Sequence, residues 1–143
     1  MNRVKLTTLL VATWSTTALG TAMGMEVAVT DAQQAAQAIS LHDVEVNGDV
    51  ISGVVANQSA HAVRDVGLLI RYSWAWNHER HPGDHNPGRA AFYTVTGPIP
   101  PGASVPFIHR TPEPLPTRSE GHFTPSVEVV AYTEAVDGTA ASR

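Results

Sequence analysis

The chain has 143 residues, no cysteine and a formal net charge of −4. The length fits one folded domain, and the acidic balance argues against a nucleic-acid or anionic-membrane surface. Without cysteine there are no disulfides, thiolate metal sites or thiol enzymes, so an apolar core alone must stabilise the fold.

Residues 1–24 have the features of a secretory signal peptide. Arg3 and Lys5 supply positive charge, residues 6–19 form an apolar run, and two Ala-x-Gly cleavage sites follow. The alternative is an uncleaved membrane anchor, but threonines interrupt the run, which is shorter than the ~20 residues that span a bilayer. We therefore predict export to the periplasm or the cell exterior, with no membrane attachment after cleavage.

Residues 25–39 are expected to form a flexible lead-in, because the short helix that Asp31 could cap is marginal in isolation. The predicted domain covers residues 40–135, followed by a disordered tail at 136–143. Near its start, Asn47-Gly48-Asp49 separates two apolar runs. Asn-Gly in this setting predicts a β-hairpin, since both residues tolerate positive φ.

From Val66 to Trp76, every second residue is apolar. This period predicts a β-strand with one buried face, longer than the usual five or six residues. Past a histidine-rich loop, residues 89–96 read as its partner strand.

Prolines divide the rest of the chain. Pro98 to Gly102 ends one strand, and residues 104–110 form the next, where Pro106 favours an edge position. A proline-spaced connection leads to a last strand at 127–133. Six or seven mostly antiparallel strands predict an all-β, immunoglobulin-like sandwich, with a small barrel as the alternative.

Three segments carry a family resemblance: Ile51-Ser52-Gly53-Val54-Val55-Ala56-Asn57, Leu69-Ile70-Arg71-Tyr72-Ser73, and Pro101-Gly102 ahead of Val105-Pro106-Phe107. Their layout resembles bacterial FxLYD-type domains, which are small extracytoplasmic β-sandwiches. Tyr72 matches the tyrosine of that signature, while leucine, arginine and serine stand at its other positions. The resemblance implies a binding or accessory module.

Residues 74–89 carry the most distinctive side chains. Trp74 and Trp76 end the long strand, and Arg80 and Arg89 follow. Aromatic residues with arginine are typical of contact sites, so these four are our candidate binding residues. The alternative is that the tryptophans continue the core.

The same loop offers candidate metal ligands in His78, His81, His85 and Asp84. The histidine spacing would converge in a helix, but the Pro-Gly pairs at 82–83 and 87–88 prevent one. Solvated histidines at a polar hairpin tip are the other interpretation, and we expect no cofactor.

No Gly-x-Ser-x-Gly motif is present, and a small sandwich has little room for a carboxylate-lined cleft. We therefore predict a protein that is not an enzyme and that binds another protein through the 74–89 hairpin. A metal-binding protein and a purely structural domain are the alternatives.

Overall fold

The computed structural model describes residues 25–78 and 85–136. These residues contain one short helix, α1 (Ala32–Ala38), and the strands β1 (Met25–Val29), β2 (Ile39–Asn47), β3 (Val50–Asn57), β4 (Val63–Trp76), β5 (Arg89–Val95), β6 (Ser104–Arg110) and β7 (Gly121–Val136). The predicted signal peptide, Glu79 to Asp84 and residues 137–143 lie outside the described residues.

Two antiparallel sheets form the domain, with strand orders β1-β7-β4-β5 and β2-β3-β6. The prediction of an all-β sandwich is confirmed. The predicted stripe of β4 is its buried face: Val66, Leu68 and Ile70 are fully buried. They belong to one core with Ile51 and Val55 of the opposite sheet.

The predicted hairpin joins β2 to β3, one residue later than expected. Asn47 pairs with Val50, so the two loop residues are Gly48 and Asp49. Of these, only Gly48 has a positive φ, at 63°. Glycine at the first loop position is the requirement of a type II′ turn, which explains why Asn47 stays in the strand.

Residues 25–39, expected to be a flexible lead-in, contain β1, α1 and the first residue of β2. β1 pairs with the end of β7, from Met25 opposite Val136 to Val29 opposite Tyr132. Asp31 caps α1 as its sequence suggested, and Ala35 is fully buried in the core. Tertiary packing stabilises a helix that would be marginal alone. No helix within the described ranges is long and apolar enough to cross a membrane.

β6 is an edge strand, as Pro106 predicted. β2 and β5 are edge strands as well. At the end of β3, the buried side chain of Asn57 uses both its amide hydrogens and its oxygen in hydrogen bonds. The buried amide of Asn57 therefore has all its hydrogen-bonding atoms paired at this end of the sandwich.

Candidate functional site

β4 and β7 extend beyond the other strands at the end of the sandwich that holds the tryptophans. Their ladder reaches Trp76 opposite Gly121, whereas β5 begins only opposite Tyr72. Beyond the ladder, Asn77 donates through its backbone to Glu120 O (2.8 Å) and through its side chain to Ser119 O (2.9 Å). The tryptophans thus lie on a two-stranded extension, as the length of the predicted strand suggested.

Trp74 is packed inward on this extension and is only 9% exposed. Its ring lies edge-on to Phe123, with 4.8 Å between ring centroids, and to Trp76, at 5.7 Å. A Cβ at position 121 would lie 2.6 Å from the indole, so Gly121 is what allows this packing. Trp74 is therefore buried, as expected if the tryptophans continue the core, whereas Trp76 is half-buried.

Of the two candidate arginines, Arg89 is among the described residues and lines a shallow pocket together with Trp74. Arg89 is half-buried, and its guanidinium donates to the backbone oxygen of Glu113 at 3.3 Å. Arg80 lies outside the described residues. The structure therefore brings Trp74 and Trp76 together and holds Arg89 against the connection between β6 and β7.

Of the candidate metal ligands, His78 and His85 are exposed on either side of the undescribed segment. His85 Nδ1 lies 3.1 Å from the backbone oxygen of Asn86. His81 and Asp84 lie outside the described residues. Within residues 25–78 and 85–136, no group of three or more metal-ligating side chains occurs, and metal binding by this loop stays a prediction.

An open cleft of about 470 Å³ lies beside Trp74. Its other walls are the turn at 48–49, the connection at 114–118 and residues 121–123, and we name it the Trp74 cleft. Leu115, Phe123 and two prolines make these walls largely apolar. Arg118 joins the connection to residues 85–88, which we name the tryptophan loop, by donating to His85 O at 3.3 Å. The volume is in the range of small ligand sites.

Sequence reasoning missed these walls, because it treated the prolines at 112, 114 and 116 only as spacers. Their alternation with apolar Leu115 is the signal that was present in the sequence.

Three buried side-chain atoms have no hydrogen-bond partner within the described structure: Tyr72 Oη, Trp74 Nε1 and His109 Nε2. All three lie toward the tryptophan end, since Tyr72 faces the first residue of β5 and His109 is next to the last residue of β6. An unpaired buried polar group costs about 1–3 kcal/mol. The tryptophan end therefore differs from the end that holds the fully bonded Asn57, because it carries these unpartnered polar groups.

For Tyr72 and His109, the surroundings disfavour the charged form. Burial, and then the Asp49 carboxylate, raises the pKa of Tyr72, while Arg89 acts in the opposite direction. Burial lowers the pKa of His109. Asp49 itself lies 3.4 Å from the Arg110 guanidinium. This end therefore offers hydrogen bonds to a ligand without placing a buried, unpaired charge against it.

Comparison with protein-family models, with curated proteins and with solved structures found no match. The function of this chain therefore has to be inferred from the geometry of the Trp74 cleft and its surroundings.

Proposed function

We propose that this protein is an exported, non-enzymatic binding module that holds an extended peptide segment of a partner protein in the Trp74 cleft. The observation that carries the proposal is the indole N–H of Trp74, which has no acceptor among the described residues and belongs to a side chain that lines an open, largely apolar cleft. A peptide supplies the missing acceptor in its backbone carbonyl.

The walls of the cleft suit the rest of such a segment. Leu115 and Phe123 are half-buried, so a bound apolar side chain would remove further apolar surface from water. The prolines beside Leu115 add rigid apolar surface and no competing backbone donor. One apolar anchor and one directed hydrogen bond are a common basis of peptide recognition.

Of the predicted contact residues, Trp74 lines this cleft and Trp76 packs against its ring. Trp76 contacts the Trp74 ring and is half-exposed, which leaves part of its indole available to a partner. Tryptophan and arginine are the residue types most often found at the energetic centre of an interface. We propose that Trp76, with Arg80 and Arg89 of the 74–89 hairpin, contacts the partner outside the cleft while Trp74 binds within it.

An immunoglobulin-like fold of the FxLYD type is part of this proposal. Sheets of four and three antiparallel strands support it. In sandwiches of this kind, recognition commonly uses the loops at one end. The 48–49 turn, the 114–118 connection and the tryptophan loop meet at such an end here.

Selection of displayed random peptides on the exported protein tests the proposal. Trp74→Phe removes the N–H and keeps an aromatic ring, Leu115→Ser weakens the apolar wall, and Trp76→Ala removes the outer contact. Ile108→Ser, on the outer face of β6, is the matched control because Ile108 is 64% exposed. Thermal unfolding of each variant checks that it is folded.

We expect the selected peptides to bind each of the three cleft variants at least about fivefold more weakly than the wild type, corresponding to about 1 kcal/mol, and to bind the control equally. Peptides that bind all folded variants alike, or a selection that yields no binders, would contradict the proposal.

A further inference from the structure

The edge of β5 lacks the features that protect the other sheet edges in the described structure. β2 has a bulge between His42 and Glu45, with Asp43 at a φ of 50°. β6 has Pro106 in its middle, and β1 is only five residues long. Bulges, prolines and short strands are the usual means of preventing edge-to-edge pairing.

The part of β7 that β1 leaves unpaired is protected in the same way. β1 covers β7 only from Tyr132 onward, and Pro125 lies in the uncovered stretch. Proline removes a backbone donor from that edge. Among the described edges, β5 therefore stands apart.

β5 is regular, uncharged and mostly apolar after Arg89. Its register with β4 runs without a shift from Tyr72–Arg89 to Val66–Val95. Residues 90–95 contain no proline and no charged side chain. Its middle residue, Phe92, is 77% exposed and is the most exposed of the large apolar side chains in the described ranges. A regular, uncharged edge with an exposed aromatic residue favours pairing with another strand.

We infer that two copies of this protein pair through antiparallel β5 strands, with Phe92 of each copy at the two-fold axis. The strand has seven residues and Phe92 is the fourth, so pairing about this residue uses the full strand. The two four-stranded sheets would join into one continuous sheet of eight strands.

The charge pattern of β5 is compatible with a second copy as the occupant. Pairing about Phe92 places Arg89 of each copy opposite Val95 of the other. The two guanidinium groups are then about 20 Å apart along the strands, beyond the Debye length at physiological salt. No like charges face each other across the new pair.

Side-chain packing supports the same register. Leu69 and Phe92 are cross-strand partners, and both side chains lie on the outer face of their sheet. Leu69 is 9% exposed. In the dimer the two phenylalanines would stand side by side, forming a row of four apolar residues across the axis. A seven-residue edge gives a small interface, so we expect a dissociation constant in the micromolar range.

Sedimentation velocity of the exported protein over about 5–500 µM tests this inference, since a weak dimer forms by mass action. We expect the wild type to shift from monomer to dimer with concentration. Phe92→Lys places two ammonium groups at the axis and should weaken dimerisation at least about tenfold. Ile108→Lys, the same kind of change on the outer face of edge strand β6, should leave it unchanged. Both sites are exposed, so both variants should unfold at nearly the wild-type temperature.

Because the natural chain has no cysteine, a single introduced thiol gives a second test. Directly opposed Cβ atoms in an antiparallel pair lie about 4.5–5.5 Å apart, close enough to allow a disulfide. Phe92→Cys should therefore cross-link under mild oxidation far faster than Ile108→Cys. A wild type that stays monomeric throughout, a dimer that Phe92→Lys does not weaken, or equal cross-linking of the two cysteine variants would overturn the inference. Peptide binding at the Trp74 cleft is measured independently of all three.

Discussion

The side chain of Asn57 joins two distant parts of the chain by donating from Nδ2 to the backbone oxygen of Ile99, 2.9 Å away. The same amide donates to His61 O at 2.8 Å. Its oxygen accepts from the backbone and the hydroxyl of Ser59. One buried amide thus fixes the β3–β4 turn against the connection that precedes β6.

Replacing this amide should destabilise the fold measurably. Asn57→Ala removes all four hydrogen bonds and should lower the free energy of unfolding by about 2 kcal/mol. Asn57→Asp should cost more, because a buried carboxylate cannot donate to the two carbonyl groups. Ser59→Ala, which loses only the hydroxyl contacts, is the milder control. Urea unfolding measures all three, and equal losses for Asn57→Ala and Ser59→Ala would contradict this role.

Truncation of the central strand should show which face is buried. Ile70→Ala should lower the free energy of unfolding by about 2–5 kcal/mol, since Ile70 is fully buried in the core. Ile108→Ala removes the same atoms from an exposed site and should change the free energy of unfolding by less than about 0.5 kcal/mol. Similar losses in chemical denaturation for the two variants would mean that the faces are assigned wrongly.

Gly121 should be essential to the position of Trp74. A Cβ at 121 would lie 2.3 Å from the backbone oxygen of Ala75 and 2.6 Å from the indole, so Gly121→Ala must displace one of them. Gly67→Ala is the matched control on the neighbouring strand, where the nearest atom would be 3.5 Å away. We expect changed tryptophan fluorescence and a lower melting temperature for Gly121→Ala alone. An unchanged spectrum would contradict the close packing.

The burial of His109 makes stability depend on pH in a defined direction. Its pKa is lowered in the folded state, so the unfolded chain binds the proton more readily. The contribution of this histidine to the free energy of unfolding is fully present above its unfolded pKa of about 6.5. This contribution is lost as the pH falls through the lower pKa of the folded state. His109→Gln should therefore lose less stability than the wild type between about pH 7.5 and pH 5.

The exposed His122 provides the control for this measurement. Urea unfolding of wild type, His109→Gln and His122→Gln at the two pH values separates a specific effect from a general one. If the wild type and His109→Gln lose equal stability on acidification, burial of this imidazole has no role in the pH dependence.

Local sequence patterns were enough to predict most strands. The alternation around Ile70 predicted the central strand, and Pro106 predicted an edge. The hairpin at Gly48 was found, although its loop is shifted by one residue. The order of residues 25–39 could not be predicted locally, because the contacts of that segment are with distant groups. β1 needs the end of β7, and Ala35 needs the core, and neither partner is visible in the local sequence.

For the candidate site, too, local sequence predicted some features, and the others depend on contacts between distant segments. The spacing of Trp74 and Trp76 predicted that both lie on one face of a long strand, and that strand ends beside the Trp74 cleft. The spacing could not show that Trp74 faces inward, because that depends on Gly121 in the partner strand. The remaining walls of the cleft come from segments about 25 and 40 residues away in the sequence, which only the packing of the two sheets brings together.

The register of β7 also determines how the chain could be circularly permuted. Met25 pairs with Val136 at one end of this strand, and Trp76 pairs with Gly121 at the other, about 50 Å away at ordinary strand rise. A short peptide could join residues 136 and 25 without spanning the molecule, and new termini could be opened at the 48–49 turn. Such a circular permutant would test whether folding needs the order in which the strands are synthesised, or only the contacts that they make.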